Sequence, residues 1–199
     1  MTVPPSPNND RRTALLNAAV DQIATKGTRG MRVEEVAKAA GVSPALIYHH
    51  FGDRSTLLQR ALEHVGDRAA IYTAPTGGTA REMLISVLVD EIQDDESVRT
   101  NSAAWSELRD TAIFDPALRP TIAKVTQRWV DDMAELIRAG HHDHTIGSDL
   151  DPETLGVRLT ALVEGFSARW LTGLLTTKQA RDHLGAAITA VLDAGSRRD

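Results

Sequence analysis

Four stretches of this chain carry side chains whose types and spacing could do chemistry. Residues 141–144 read His-His-Asp-His, imidazoles and a carboxylate of the kind that suit zinc or nickel. Residues 43 and 44 read Ser-Pro, a helix N-cap followed by proline at the first helical position. The free N–H groups and positive dipole end of such a start suit a phosphate. Tyr48, His49 and His50 follow it, and the cations Arg32 and Arg54 flank it. Finally, Trp105, Trp129 and Trp170, with Met83, Met133 and Phe166, fall on apolar helix faces. They could line a pocket for a small apolar or cationic molecule, or could be ordinary core.

Neighbouring residues in a loop rarely converge on one ion, so residues 141–144 are read as a solvated loop, and neither metal nor cofactor is expected. No Ser/His/Asp order, paired carboxylates, Gly-rich phosphate loop or HExxH stands out, so no enzyme is expected. The 199 residues contain no cysteine, which removes disulfides and thiolate chemistry and fits a reducing cytoplasm. No apolar run approaches the roughly 18 residues of a membrane span, and Met1–Asp10 has no secretory pattern. The chain carries a net −5, unevenly spread. Residues 1–65 hold eight Lys and Arg against six Asp and Glu, and the remainder is acidic. A mildly basic head on an acidic body suggests that only the head meets a polyanion.

The elements that must position these residues are helical. Residues 1–9, with Pro4, Pro5 and Pro7, are expected to be a disordered lead-in. Leu15, Leu16, Ala19 and Ile23 share a helix face that Gly27 stops. Val33, Val36, Ala37 and Ala40 mark a second helix, closed by Gly41. A very short third helix runs from Pro44 to about His50, and Asp53 caps a fourth that reaches about Tyr72. Pro75-Thr-Gly-Gly78 is a linker or hinge. Five more helices follow, over about 79–93, 96–113, 121–139, 152–174 and 177–192, with a loop at 140–150. Asp151-Pro152 opens the eighth and Thr177 caps the ninth.

The short helix, glycine turn and second short helix, braced by the preceding one, follow a helix-turn-helix plan. Residues 33–52, with Val36-Ala37, Ala40-Gly41-Val42-Ser43, Ile47-Tyr48-x-His50-Phe51 and then Leu57, resemble the DNA-binding region of the TetR family of transcriptional regulators. The segment from Asp151-Pro152 through Glu164-Gly165-Phe166 is similar to the BetI-like subgroup. The resemblance implies an all-α protein with a helix-turn-helix domain over 10–65 and a ligand-binding and dimerisation domain over 66–199. It implies a homodimer on double-stranded DNA, with no membrane partner. Its DNA-facing set is Arg32, Val33, Val42, Ser43, Pro44, Ala45, Leu46, Tyr48, His49, His50 and Arg54. Two departures matter. Arg32 stands where the family has Ser or Thr before the second helix, and Pro44, Ala45 and Leu46 offer no bidentate hydrogen bonds to bases.

For the body, Met83, Val87, Trp105, Leu108, Trp129, Met133 and Trp170 are the candidate effector-binding residues. Leu159, Leu162, Val163, Phe166, Leu184, Ala187, Ile188 and Val191 form the candidate inter-subunit four-helix seam. The function expected is a ligand-responsive regulator, a repressor released from its operator by a small molecule. The alternative is a helical small-molecule-binding module that has lost DNA binding.

Overall fold

A computed structural model describes residues 7–75, 77–149 and 151–195. Among these residues lie nine α-helices: α1 (Pro7–Gly30), α2 (Val33–Ala39), α3 (Pro44–Phe51), α4 (Arg54–Tyr72), α5 (Ala80–Val89), α6 (Glu96–Phe114), α7 (Arg119–His142), α8 (Pro152–Leu171) and α9 (Thr177–Gly195). A 3₁₀ turn, Pro116–Leu118, precedes α7. No described helix is long and apolar enough to cross a membrane. The chain divides into two compact units. One takes the residues up to Asp67 together with Ala103–Ala123, and the other takes Arg68–Ser102 and the residues from Lys124 on.

The first unit is built on helical periodicity. Leu15, Ala19 and Ile23 of α1, Val36 of α2, Ile47 and Phe51 of α3, and Leu58 and Leu62 of α4 close one apolar core. Ala104 and Leu108 of α6 and Leu118 of the 3₁₀ turn complete it. The expected boundary near residue 65 therefore leaves out a piece of α6 that the head's core uses. Residues 1–6 of the expected disordered lead-in lie outside the described residues, and Pro7–Asn9 form the start of α1. Inside α1, Gly27 leaves the helical region (φ 70°, ψ 167°), a conformation reserved for glycine. The apolar face of α1 stops there, as its sequence suggests.

In the second unit, Leu84, Leu88 and Ile92 pack with Ile137 of α7, Leu155, Leu159 and Val163 of α8, and Leu184, Ile188 and Leu192 of α9. Side-chain caps fix the helix starts. Thr79 and Glu82 form a capping box on α5, and Asp151 accepts from the Thr154 N–H at 2.8 Å to start α8. Gly156 lies where an added Cβ would sit 3.0 Å from the Val130 carbonyl oxygen, so glycine lets α8 pass close to α7. Arg181 of α9 donates to the Val89 and Ile92 carbonyls at 3.1 and 2.7 Å and to Asp90 at 2.9 Å, satisfying carbonyls at the end of α5.

Several boundaries differ from the sequence reading. Helix α5 ends at Val89, and α7 begins at Arg119 because Pro120 is tolerated within a first turn. Helix α7 continues through His142, so residues 140–142 are helical. The cap of α9 is Thr176, which exchanges hydrogen bonds with Gln179 (Thr176 N–H to Oε1 3.0 Å, Gln179 N–H to Oγ1 3.2 Å). Thr177 serves Trp170 instead. Its hydroxyl accepts from the Trp170 indole Nε1–H at 2.9 Å and donates to Asp94.

Candidate nucleic-acid interface

The turn between α2 and α3 follows from one glycine. Gly41 has φ 67°, which a β-carbon would oppose. Its N–H reaches the Lys38 carbonyl at 3.2 Å, and the Val42 N–H reaches the Ala37 carbonyl at 2.9 Å. This pair of bonds is a Schellman closure of α2. Val42 then turns inward and packs partly against the core. Ser43 is extended (φ −80°, ψ 150°) and Pro44 opens α3. The Ser43 hydroxyl makes no capping bond, so the N–H groups of the first turn are not satisfied by that side chain. Ile47 and Phe51 face the core and hold α3 down.

What remains outward is a narrow edge. Ser43, Pro44, Ala45 and His49 are exposed, Tyr48 is 49% exposed, and Leu46 and His50 are partly so. Arg32 is exposed beside the start of α2, where it gives no side-chain cap. Val33 departs from the expected set. It is only 5% exposed and belongs to the apolar core, so it supports α2 and cannot reach a duplex. Beyond α3, Gly52 (φ 77°) ends the helix with its N–H on the Tyr48 carbonyl at 2.8 Å. Asp53 caps α4 through the Thr56 N–H at 2.7 Å, and those Thr56 bonds hold its carboxyl below the ordinary range. Arg54 is exposed, yet its Nη2 donates to the Thr28 carbonyl. Sequence reasoning missed that bond and also missed Arg12, whose guanidinium lies 5.9 Å from the centre of the Phe51 ring. The only signal for Arg12 was a basic pair, Arg11-Arg12, on the first exposed turns of α1.

The geometry is that of a DNA-reading helix presented on a tight turn, and the family comparisons agree. Residues 15–61 match the model for bacterial regulatory proteins of the tetR family, and residues 80–193 match the model for the C-terminal part of BetI-type transcriptional repressors. The chain belongs to the TetR family, with a BetI-type C-terminal domain. A crystal structure of a TetR-family regulator from Rhodococcus sp. is 45% identical, with a TM-score of 0.88, covering 92% of this chain and 98% of that one. A transcriptional regulator from Saccharomonospora viridis, crystallised with choline, is 26% identical with a TM-score of 0.75, over 92% and 96% of the two chains. The regulator BetI of Rhizobium meliloti is 32% identical over 98 residues, 48% of each chain. The match thus spans about half the length of that curated relative. As a TetR-family regulator the chain sits in a family of DNA-binding proteins, not of enzymes.

In this TetR-family body the candidate effector residues do not gather at one place. Val87, Met133 and Trp170 are buried in the second unit's core, with Trp129 packed against it. Met83 is half-buried on α5, outside that cluster. Trp105 and Leu108 pack with the first unit's core instead, because the second half of α6 serves that unit. Trp170 is fully enclosed: its N–H is on Thr177 and the Arg99 guanidinium lies 4.4 Å from its ring centre.

The seam residues also divide. Leu159, Val163, Leu184 and Ile188 are buried within the chain's own α5–α8–α9 core, so they cannot be offered to a second subunit. Leu162, Phe166 and Val191 are partly buried against that core, Ala187 is half-buried, and Phe166 stacks on His183 at 6.4 Å. Exposed alanines recur on both helices, Ala161 and Ala168 on α8 and Ala186 and Ala190 on α9, among exposed Val157, Arg158 and Arg169 on the first and Asp182 and His183 on the second. Around residues 141–144, Asp143 accepts from the Ala80 and Thr145 N–H groups, each at 3.0 Å, and from the Thr145 hydroxyl. Those bonds hold its carboxyl below its ordinary range, and no metal-capable group of three gathers among the described residues.

Proposed function

We propose that this TetR-family chain is a transcriptional repressor that binds operator DNA as a homodimer in the cytoplasm and is released by a small organic cation. The observation that carries the reading is the exposed edge Ser43-Pro44-Ala45-Tyr48-His49 on a short helix whose opposite side is locked into the core. In a two-fold dimer, two such edges about 34–36 Å apart enter successive major grooves. Dimerisation is assigned to the small-residue faces of α8 and α9, which let two helix pairs approach closely.

The cationic class of effector is supported by the choline bound to the S. viridis relative and by one carboxyl in this chain. Burial pushes Glu91 up to about 7, and its hydrogen-bonding neighbour is the Tyr72 hydroxyl at 3.1 Å rather than a cation. A half-buried, desolvated acid whose hydrogen-bonding neighbour is neutral favours a cationic ligand. Such a ligand acts through its differential affinity for the DNA-competent and DNA-incompetent states.

The test is a fluorescence-anisotropy titration of the full chain against DNA from upstream of its own gene, with and without choline. Tighter binding to that fragment than to a scrambled one, weakened by choline, is expected. Equal affinity for both fragments at the same salt would sink the repressor reading and leave a small-molecule-binding module without DNA function.

A further inference from the structure

We infer that Glu107 of α6 is a positioning residue for DNA binding, acting through Thr28, on whose carbonyl Arg54 is braced. The inference rests on the reading of the first unit as a DNA-binding head. Thr28 is 3% exposed and follows the Gly27 kink. Its N–H and its hydroxyl both donate to Glu107 Oε1, at 2.8 and 3.0 Å. The hydroxyl has a single hydrogen, committed to that carboxylate, so the 2.8 Å contact between the Thr28 and Thr111 hydroxyls has Thr111 as donor. The carbonyl of the same residue accepts from Arg54 Nη2. One residue is therefore gripped on its N–H side by an anion and on its C=O side by a cation.

Each partner comes from a different element. Thr28 closes α1, Arg54 opens α4 directly after the Gly52-Asp53 break that ends α3, and Glu107 lies on α6. Arg54 uses one of its five N–H donors on Thr28 and is otherwise exposed, so its remaining donors stay available to a phosphate from a held position. A long side chain fixed before binding loses less freedom on binding. Glu107 supplies that fixation at one remove, since without its carboxylate the Thr28 N–H and hydroxyl both lose the acceptor they share.

The test uses a random-sequence duplex of about 30 base pairs, because phosphate contacts do not depend on sequence. Affinity is measured across a salt series for the wild-type chain, Arg54→Ala, Glu107→Ala, Glu107→Gln and the double variant Arg54→Ala/Glu107→Ala. Losing one phosphate contact per arm lowers the slope of log affinity against log salt by about 2 in a dimer. Arg54→Ala should show that drop. Glu107→Ala should show most of it, with affinity down about three- to tenfold at low salt, and should add nothing in the Arg54→Ala background. Glu107→Gln keeps an acceptor for the Thr28 N–H and should restore most of the slope. If the alanine variant fails to fold, Glu107→Leu, which fills the space without an acceptor, takes its place and should show the same loss of slope. Additive losses, or a Glu107 variant that weakens binding with the slope unchanged, would overturn the positioning role while leaving DNA binding intact. A wild-type chain without salt-dependent binding would overturn the DNA-binding reading itself.

Discussion

Gly27→Ala isolates the physical cost of the joint at the end of α1. Gly27 has φ 70° and ψ 167°, a region that non-glycine residues occupy at a cost of about 1–3 kcal/mol. Space adds a second cost. A Cβ there would lie 3.0 Å from Glu107 Oε1, so the carboxylate must retreat by a few tenths of an ångström. That retreat lengthens the 2.8 and 3.0 Å bonds that satisfy the buried Thr28. Weakening one charge-assisted bond costs about 1–2 kcal/mol, which makes the sum about 2–5 kcal/mol. Gly41→Ala is the control. Its φ of 67° is also unfavourable for alanine, but nothing lies within 4 Å of the new Cβ, so only a backbone cost of about 1–2 kcal/mol applies.

Urea titrations followed by Trp fluorescence suit the comparison, since Trp105 packs against the core of the affected unit. Gly27→Ala should lose about 2 kcal/mol more than Gly41→Ala. In a Glu107→Ala background its cost should fall to the backbone part alone, because the atom it strikes is gone. Equal costs for the two alanines, or a Gly27→Ala cost indifferent to Glu107, would refute the claim that the carboxylate and the kink share one geometry.

Other perturbations probe the second unit. Thr177→Val leaves the enclosed Trp170 N–H without its acceptor and should cost about 1–3 kcal/mol by denaturant titration, whereas Thr177→Ser should be near neutral. Glu91 holds its proton more tightly in the fold than in the unfolded chain, with its titration raised from 4.5 to about 7. Its contribution is therefore most favourable below pH 4.5, falls between pH 4.5 and 7, and is flat above. Glu91→Gln should abolish that fall and melt higher than wild type at about pH 8, which a pH series of thermal melts would show. Ala190→Glu places a charge on the exposed face of α9, so sedimentation velocity should report a smaller species while circular dichroism stays unchanged.

The head was legible in the sequence because its turn is made of residues with few alternatives. Gly41 must reverse the chain, Pro44 cannot lie deep in a helix, and Asp53 stands one residue before α4. Periodicity then identified the buried sides of α1, α2 and α3, but it does not say which partner covers a buried stripe. For that reason Leu159, Val163, Leu184 and Ile188 read as an inter-subunit seam although the chain buries them itself. Trp105 and Leu108 read as body residues although they pack in and against the first unit's core. The weaker pattern, alanines recurring on the outward faces of α8 and α9, was hidden behind the stronger apolar one. The Arg54–Thr28–Glu107 contacts join positions far apart in the chain, and no local rule of spacing reports them.

The placement of polar groups bears on how this head would discriminate between sequences. A bidentate side-chain contact to a base is worth about 1–3 kcal/mol of discrimination, and the outward edge of α3 holds no Arg, Lys, Asn or Gln to make one. His49 is exposed on that edge, while Pro44 and Ala45 offer apolar surface to thymine methyls. The cations Arg12, Arg32 and Arg54 lie outside α3, and in the proposed complex they would meet phosphates and supply affinity without reading bases. Selectivity in the proposed dimer then falls largely on what rigid spacing can impose: two half-sites at the correct separation and a duplex that accepts the geometry. A head that reads by fit needs its arginines and its short helix fixed in place. The buried polar grip at Thr28 is the kind of investment that such a reader requires and that a helix armed with long polar side chains could forgo.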